Sequence, residues 1–202
     1  MINKKDKKLI LFPPKTGSTS LRSFFEEPLY GYERPEYPRP PVVHMNIDEA
    51  IDFYSIKDIK NWKIYQTARN PMTRVPSAFM HQKAMSKKRQ GSMDNIKFEN
   101  FVENLIGKND LLFPNNFLRG QARFYFLQTT WADSKKYNVT YLKLEKDNSK
   151  IYSEMGFSED FKLPHKNRGN FIDSNYEHLH TDKTKEIIKS LYEDDFIKLN
   201  YE

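Results

Sequence analysis

The chain has 202 residues, of which 38% are hydrophobic and 14% aromatic, so it can bury a core and does not have the composition of a disordered protein. Its 33 Lys and Arg outnumber 27 Asp and Glu, and the net charge of +6 is compatible with an anionic ligand without indicating nucleic acid. The lack of cysteine excludes disulfides, zinc–thiolate sites and thiol catalysis. No apolar run approaches the roughly 18 residues of a membrane span, and the N-terminus lacks a signal-peptide core. We therefore predict one cytoplasmic domain over residues 1–202, without membrane insertion.

The first predicted strand covers residues 9–12, a short apolar run of the kind that a buried parallel strand shows. It leads into a loop, residues 13–20, with a lysine, a glycine and four hydroxyl residues, and then into a helix with apolar residues at Leu21, Phe24 and Phe25. Backbone N–H groups at a helix N-terminus, together with a cation and hydroxyl donors, favour binding of a phosphate or sulfate. An ordinary capped helix fits the same residues, because Ser and Thr are common N-caps.

A second strand–loop–helix unit begins with a predicted strand over residues 63–68, which runs into Arg69-Asn70-Pro71 and a helix that ends near residue 88. Pro76 lies in this helix, and we expect a proline there only if it falls within the first turn. Between the two units, residues 42–45 are predicted as a short strand, and Asp48 as the cap of a helix through Tyr54.

The remaining elements continue the alternation of strands and helices. We predict helices over residues 98–105 and 151–155, a strand over 139–144, and a long amphipathic helix over 181–199 that begins at a Thr cap. This order predicts a layered α/β fold with a central, mostly parallel β-sheet flanked by helices.

Both loops are expected at the carboxyl edge of that sheet, where open α/β sheets bind ligands. The first loop is not a Walker A loop, because that motif has an earlier glycine and ends in a Gly-Lys pair, whereas Lys15 here precedes the only glycine. The spacing therefore disfavours an ordinary P-loop kinase.

The residues at these two loops resemble motifs of a known family. Pro14-Lys15-Thr16-Gly17-Ser18-Thr19-Ser20 resembles the 5′-phosphosulfate loop of sulfotransferases that use 3′-phosphoadenosine 5′-phosphosulfate (PAPS). The run from Arg69 to Phe79 resembles their 3′-phosphate motif. That motif begins with Arg, then Asp or Asn, then Pro, and continues with a second Arg and a Ser. The similarity is best to the carbohydrate-directed branch that includes heparan and chondroitin sulfotransferases, and it implies a three-layer P-loop-like fold.

The resemblance also implies roles for particular residues, with PAPS as the sulfuryl donor and 3′-phosphoadenosine 5′-phosphate (PAP) as the product. Lys15 would contact the phosphosulfate and stabilise the charge that builds on the bridging oxygen. The phosphosulfate would also accept hydrogen bonds from backbone N–H and hydroxyl groups of the loop, which belong to Thr16, Gly17, Ser18, Thr19 and Ser20. The 3′-phosphate would be held by Arg69 and Ser77 with support from Arg74, for which an ion pair on the helix surface is the alternative. In a later basic loop, Lys166 and Arg168 would contact the 3′-phosphate or an anionic acceptor.

An attacking sugar hydroxyl must lose its proton, and the resemblance places the general base at His44, a histidine between the two motifs. A histidine that simply bonds to a backbone carbonyl is the alternative for His44, and Glu49 is the reserve candidate for the base. His178 and His180 lack carboxylate partners at the spacing of a metal site, and no carboxylate cluster indicates magnesium. We therefore expect sulfuryl transfer without a metal.

The chain departs from the family at two positions of the second motif. Pro76 stands where the family has an aliphatic residue, and Asn70 replaces the commoner Asp, which we expect to be tolerated because both cap helices. The predicted partner, a hydroxyl-bearing carbohydrate acceptor rather than nucleic acid, is implied by the branch alone.

Two other classes of protein stay open. One is a nucleotide kinase with a degenerate P-loop. The other is a non-catalytic binder of a polyanionic glycan or nucleic acid, for which Tyr30, Tyr32 and Tyr37 beside two arginines are a faint indication.

Overall fold

The computed structural model describes residues 1–18, 21, 44–88, 92–106, 125, 127–146, 149–157 and 176–201. The chain forms two compact units, each assembled from two segments. The first unit combines Met1–Arg69 with Gln128–Gly169, and the second combines Asn70–Leu127 with Asn170–Glu202. The expectation of one domain over residues 1–202 stays a prediction.

The first unit contains a four-stranded sheet in the order β1-β2-β3-β4. The strands are β1 (Ile2–Asn3), β2 (Lys8–Leu11), β3 (Lys63–Ala68) and β4 (Val139–Lys143). β1 runs antiparallel to β2, whereas β2 pairs with β3, and β3 with β4, in parallel. The mostly parallel sheet is therefore confirmed, and the bounds of its three parallel strands agree with the predicted ones to within one residue. β1 is an addition, because a two-residue strand has no periodicity that a sequence pattern can reveal.

Six α-helices lie within the described ranges: α1 (Ile47–Tyr54), α2 (Pro71–Lys88), α3 (Phe98–Ile106), α4 (Ser149–Met155), α5 (Asp182–Leu191) and α6 (Glu193–Lys198). α1 and α4 flank the sheet of the first unit. Because successive strand residues point to opposite faces, Leu9 and Leu11 pack with α1, while Ile10 and Tyr65 pack with α4. No helix in the described ranges is both long and apolar enough to cross a lipid bilayer.

The start of α1 differs from the prediction. Asn46, not Asp48, is the N-cap: its side-chain oxygen accepts from the Glu49 N–H, and the Glu49 carboxylate accepts from the Asn46 N–H, each at 2.9 Å. This capping box places Asp48 inside the helix. The predicted strand at residues 42–45 is wrong for its described part, since His44 lies in a 3-10 turn and Met45 is in no strand. Val42 and Val43 lie outside the described residues.

The second unit is helical in its described part. α2, α3, α5 and α6 surround an apolar cluster whose buried members include Val75, Phe79, Phe98, Phe101, Ile188 and Tyr192. The predicted Thr cap of α5 is confirmed, because the Thr181 hydroxyl accepts from the Thr184 N–H at 3.2 Å.

The long helix predicted over residues 181–199 is wrong in one respect, since it breaks at Tyr192 into α5 and α6. The buried Tyr192 phenol donates to the Tyr125 carbonyl at 2.9 Å, and three acidic residues directly after Tyr192 favour a new helix N-terminus. The end of α5 therefore coincides with a tertiary contact of Tyr192.

α2 begins where the sequence predicted. Asn70 is the cap, since its side-chain oxygen accepts from the Met72 N–H at 2.9 Å, and Pro71 takes the first helical position. The replacement of Asp by Asn is therefore compatible with capping. Pro76, however, is not in the first turn: it lies well inside the helix, against expectation.

Candidate anion-binding site

The loop after β2 is anchored to β3 by Thr16. The Thr16 hydroxyl is buried, lies 2.6 Å from the Pro13 carbonyl oxygen and 2.5 Å from the Thr67 hydroxyl, and donates to that carbonyl. With its proton used in this way, the Thr16 hydroxyl oxygen accepts a hydrogen bond from the Thr67 hydroxyl. The Thr16 hydroxyl therefore holds the loop in place, and the group that Thr16 can offer a ligand is its backbone N–H.

The loop turns through two residues with left-handed backbone, Lys15 at φ 67° and Gly17 at φ 80°. Glycine adopts this conformation readily, but for a lysine it costs about 1–2 kcal/mol, which is typical of strain held at a functional site. A helical turn follows at once, since Ser18 is helical and the Leu21 N–H donates to the Gly17 carbonyl at 3.2 Å. Thr19 and Ser20 lie outside the described residues.

Gly17 is also closely approached by another side chain: a Cβ there would lie 2.7 Å from Leu144 Cδ2, so Leu144 would have to move. We expect Gly17→Ala to lower the free energy of unfolding by about 1–2 kcal/mol and to abolish anion binding at the loop. Chemical denaturation and calorimetric titration with PAP measure the two effects.

Gly156→Ala is the matched control for this variant. Gly156 has φ 101°, but a Cβ there would meet nothing within 4 Å. Its substitution should reduce stability in the same way and leave anion binding unchanged. Equal binding by both variants would contradict a role for Gly17 in holding an anion.

Two positive side chains meet at this loop. Burial, together with the charge of Arg69, lowers the pKa of Lys15 from 10.5 to about 8. An Arg69 guanidinium nitrogen lies 3.5 Å from the Lys15 carbonyl oxygen. Among the described residues, no carboxylate forms an ion pair with Lys15. A pair of neighbouring cations whose lysine has no such counter-ion is an environment that favours a bound anion.

The backbone of Arg69 is held by Gln128, a residue that the sequence did not single out. The buried Gln128 side chain accepts from the Arg69 N–H and donates to the Arg69 carbonyl, each at 2.8 Å. Gln66, on β3, donates in turn to the Gln128 carbonyl at 2.8 Å. Since β3 ends at Ala68, Gln128 takes the place of a further strand pairing and fixes the residue from which the guanidinium extends.

His44 contacts the backbone at the start of the loop after β2. Its Nδ1 is 2.7 Å from the Phe12 carbonyl oxygen, and its ring packs edge-on against Trp131 at 6.5 Å between centroids. Because a carbonyl only accepts, Nδ1 carries a proton, and in the neutral ring Nε2 is the basic atom. The backbone-carbonyl contact is therefore present, and it also fixes the tautomer that a general base needs.

Arg74 and Ser77 lie on α2, in the second unit. Arg74 is 0% exposed, so the alternative of an ion pair on the helix surface is wrong. Burial raises the pKa of Tyr192 to about 12, and the charge of Arg74 opposes that rise, as it does for Tyr125. The Ser77 side chain is buried, and within the described part of the chain no group hydrogen-bonds to its hydroxyl. The assignment of both residues to a 3′-phosphate stays a prediction.

The remaining residues singled out in the sequence either have other partners or lie outside the described part of the chain. Lys166 and Arg168 lie outside the described residues. Glu49, the reserve base, serves the capping box of α1. His180 bonds through Nε2 to the Met72 carbonyl at 2.9 Å. In the described segments, no group of three or more His, Asp or Glu side chains is arranged to hold a metal ion.

No family model matches the chain, and neither a curated protein nor a solved structure matches it. The class of protein therefore has to be inferred from the site: a layered α/β unit whose parallel strands β2 and β3 end in two neighbouring loops that carry the cations Lys15 and Arg69.

Proposed function

We propose that the chain is a PAPS-dependent sulfotransferase with a three-layer P-loop-like fold, acting on a hydroxyl of a carbohydrate. The observation that carries the proposal is the pairing of Lys15 with Arg69 at the ends of adjacent parallel strands. In the two motifs these residues belong to the 5′-phosphosulfate loop and to the 3′-phosphate motif. PAPS carries phosphate groups on the 3′ and 5′ positions of its ribose, so each of the two cations would contact one of them.

The reaction requires little covalent chemistry from the protein. The acceptor oxygen forms a bond to sulfur, the bond between sulfur and the 5′-phosphate oxygen breaks, and its electron pair stays on that oxygen. Lys15 donates a hydrogen bond to this oxygen and neutralises its charge, helped by N–H groups of the loop. Positioning and charge stabilisation are then the main sources of catalysis, as in phosphoryl transfer.

His44 is the group that we assign to the acceptor proton. With Nδ1–H donated to the Phe12 carbonyl, the basic Nε2 takes the proton as the acceptor oxygen attacks. This assignment needs no metal, and we expect turnover to be unchanged by a chelator such as EDTA.

The test is calorimetric titration with PAP and with AMP, which lacks the 3′-phosphate, on the wild type and on Arg69→Ala. We expect PAP to bind more tightly than AMP by roughly 10–150-fold, the range of one charge-assisted contact, and Arg69→Ala to remove most of that difference. Arg69→Lys should retain part of it, since lysine keeps the charge and loses the planar fork.

Lys63→Ala is the matched control, because Lys63 is exposed and lies at the opposite end of the same strand, β3. It should leave the preference for PAP unchanged. If neither nucleotide binds to the wild type, the sulfotransferase proposal is wrong, and a glycan- or nucleic-acid-binding protein becomes the hypothesis. Magnesium-dependent binding of ATP in place of PAP would favour a kinase instead.

A further inference from the structure

α2 contains a proline at a position where a helix normally needs an N–H group. In an α-helix the N–H of residue 76 would donate to the carbonyl of residue 72, four positions earlier. Pro76 has no N–H, and its ring crowds that same carbonyl. The Met72 carbonyl is therefore left without its normal donor from within the helix.

His180 supplies a donor to this carbonyl from elsewhere in the second unit. Its Nε2 lies 2.9 Å from the Met72 carbonyl oxygen, and because that oxygen can only accept, Nε2 carries the proton. The His180 ring also packs edge-on against Phe98, at 5.5 Å between centroids. One hydrogen bond therefore joins the residue before the N-cap of α5 to the second residue of α2.

The backbone on both sides of His180 is fixed, which makes the ring a rigid donor. The backbone N–H of His180 donates to the Glu177 carbonyl at 3.0 Å and closes a 3-10 turn. The next residue, Thr181, is the N-cap of α5 and forms a capping box with Thr184. The ring thus projects from a short segment held at both ends.

We infer that His180 is a positioning residue for the 3′-phosphate motif, an inference that depends on the proposed function. Pro76 and His180 form a coupled pair: the proline removes one hydrogen bond from α2, and the histidine replaces it. Ser77 follows Pro76 directly, and Arg74 lies between Met72 and Pro76. A change in this stretch of helix therefore displaces Arg74 and Ser77, two of the three side chains that the motif assigns to the 3′-phosphate.

A double-mutant cycle tests the coupling. We expect His180→Ala to weaken PAP binding by about five- to tenfold, the effect of one hydrogen bond, and to leave AMP binding unchanged. His180→Gln, whose side-chain amide can reach the same carbonyl, should bind PAP almost as the wild type does. Pro76→Ala restores an N–H within the helix, so adding His180→Ala to Pro76→Ala should weaken PAP binding less than twofold.

The PAP-to-AMP ratio separates positioning from a general loss of structure, which would weaken both nucleotides together. The inference is wrong if His180→Ala weakens PAP equally with and without Pro76→Ala. Amide hydrogen exchange at Val75 and Ser77 provides a second readout: His180→Ala should speed exchange only where Pro76 is present. That measurement needs no nucleotide, so failure of the coupling and failure of the sulfotransferase proposal give different results.

Discussion

Replacing Lys15 with methionine, which keeps the side-chain length and removes the charge, is expected to lower kcat for sulfuryl transfer by about 10²–10³-fold. The reason is that Lys15 is the cation of the loop after β2, and it has no carboxylate partner among the described residues. Without it, the charge on the leaving oxygen is stabilised by N–H groups alone. The rate of PAP release from PAPS, with a panel of saccharide acceptors, measures the loss.

Lys7→Met is the matched control for this variant. Lys7 also has a left-handed backbone, at φ 52°, but it is exposed and lies before β2 rather than after it. Turnover by Lys7→Met should equal that of the wild type. If Lys15→Met also keeps the wild-type kcat, Lys15 does not act on the leaving group.

The lowered pKa of Lys15 predicts how PAP binding depends on pH. With a pKa of about 8 in the free protein, Lys15 is charged below pH 8 and loses its proton above it. A bound anion favours the charged form, so binding above pH 8 must take up a proton. The Kd for PAP should therefore rise by up to about tenfold per pH unit above 8. Titrations in buffers of different ionisation enthalpy detect the proton, and Lys15→Met should abolish both effects.

The second large effect is expected for Gln128→Leu. This variant removes both hydrogen bonds to the Arg69 backbone and should lower the free energy of unfolding by about 2–4 kcal/mol. It should also reduce the preference for PAP over AMP, since the guanidinium then extends from a less constrained backbone. Urea denaturation and calorimetric titration at a temperature where the variant is folded measure the two changes.

Gln82→Leu is the control for Gln128→Leu. Gln82 is buried as well, but neither polar atom of its amide has a hydrogen-bond partner among the described residues. Its replacement by leucine should therefore be neutral or stabilising, because no hydrogen bond is lost. Equal destabilisation by both variants would show that the two bonds to Arg69 contribute nothing beyond packing.

The parallel strands could be predicted from the sequence because each is rich in apolar, aromatic or β-branched residues and has a clear end. β2 ends before Pro13, and β3 ends before Arg69-Asn70-Pro71. The two loops with Lys15 and Arg69 follow from these ends, since neighbouring parallel strands present their carboxyl ends at one edge. The local sequence therefore sufficed to place the three parallel strands and the two cations that follow them.

What could not be predicted depends on contacts between distant residues. Gln128 bonds to Arg69 across 59 positions, and Tyr192 bonds to Tyr125 across 67, so neither contact leaves a periodic pattern. The direction of a hydroxyl is equally invisible: Thr16 was expected to face a ligand, and its hydroxyl instead joins the loop to Thr67. Likewise, arginine is usually a surface residue, and only the folded structure shows that Arg74 is buried.

The left-handed backbone at Lys15 has a consequence for attempts to engineer this chain. At φ 67° a glycine avoids a penalty of about 1 kcal/mol or more, and it also removes a partly buried ammonium group next to Arg69. A screen that selects only for thermostability should therefore enrich Lys15→Gly. Such a screen would select a more heat-resistant protein that has lost the cation on which its proposed activity depends.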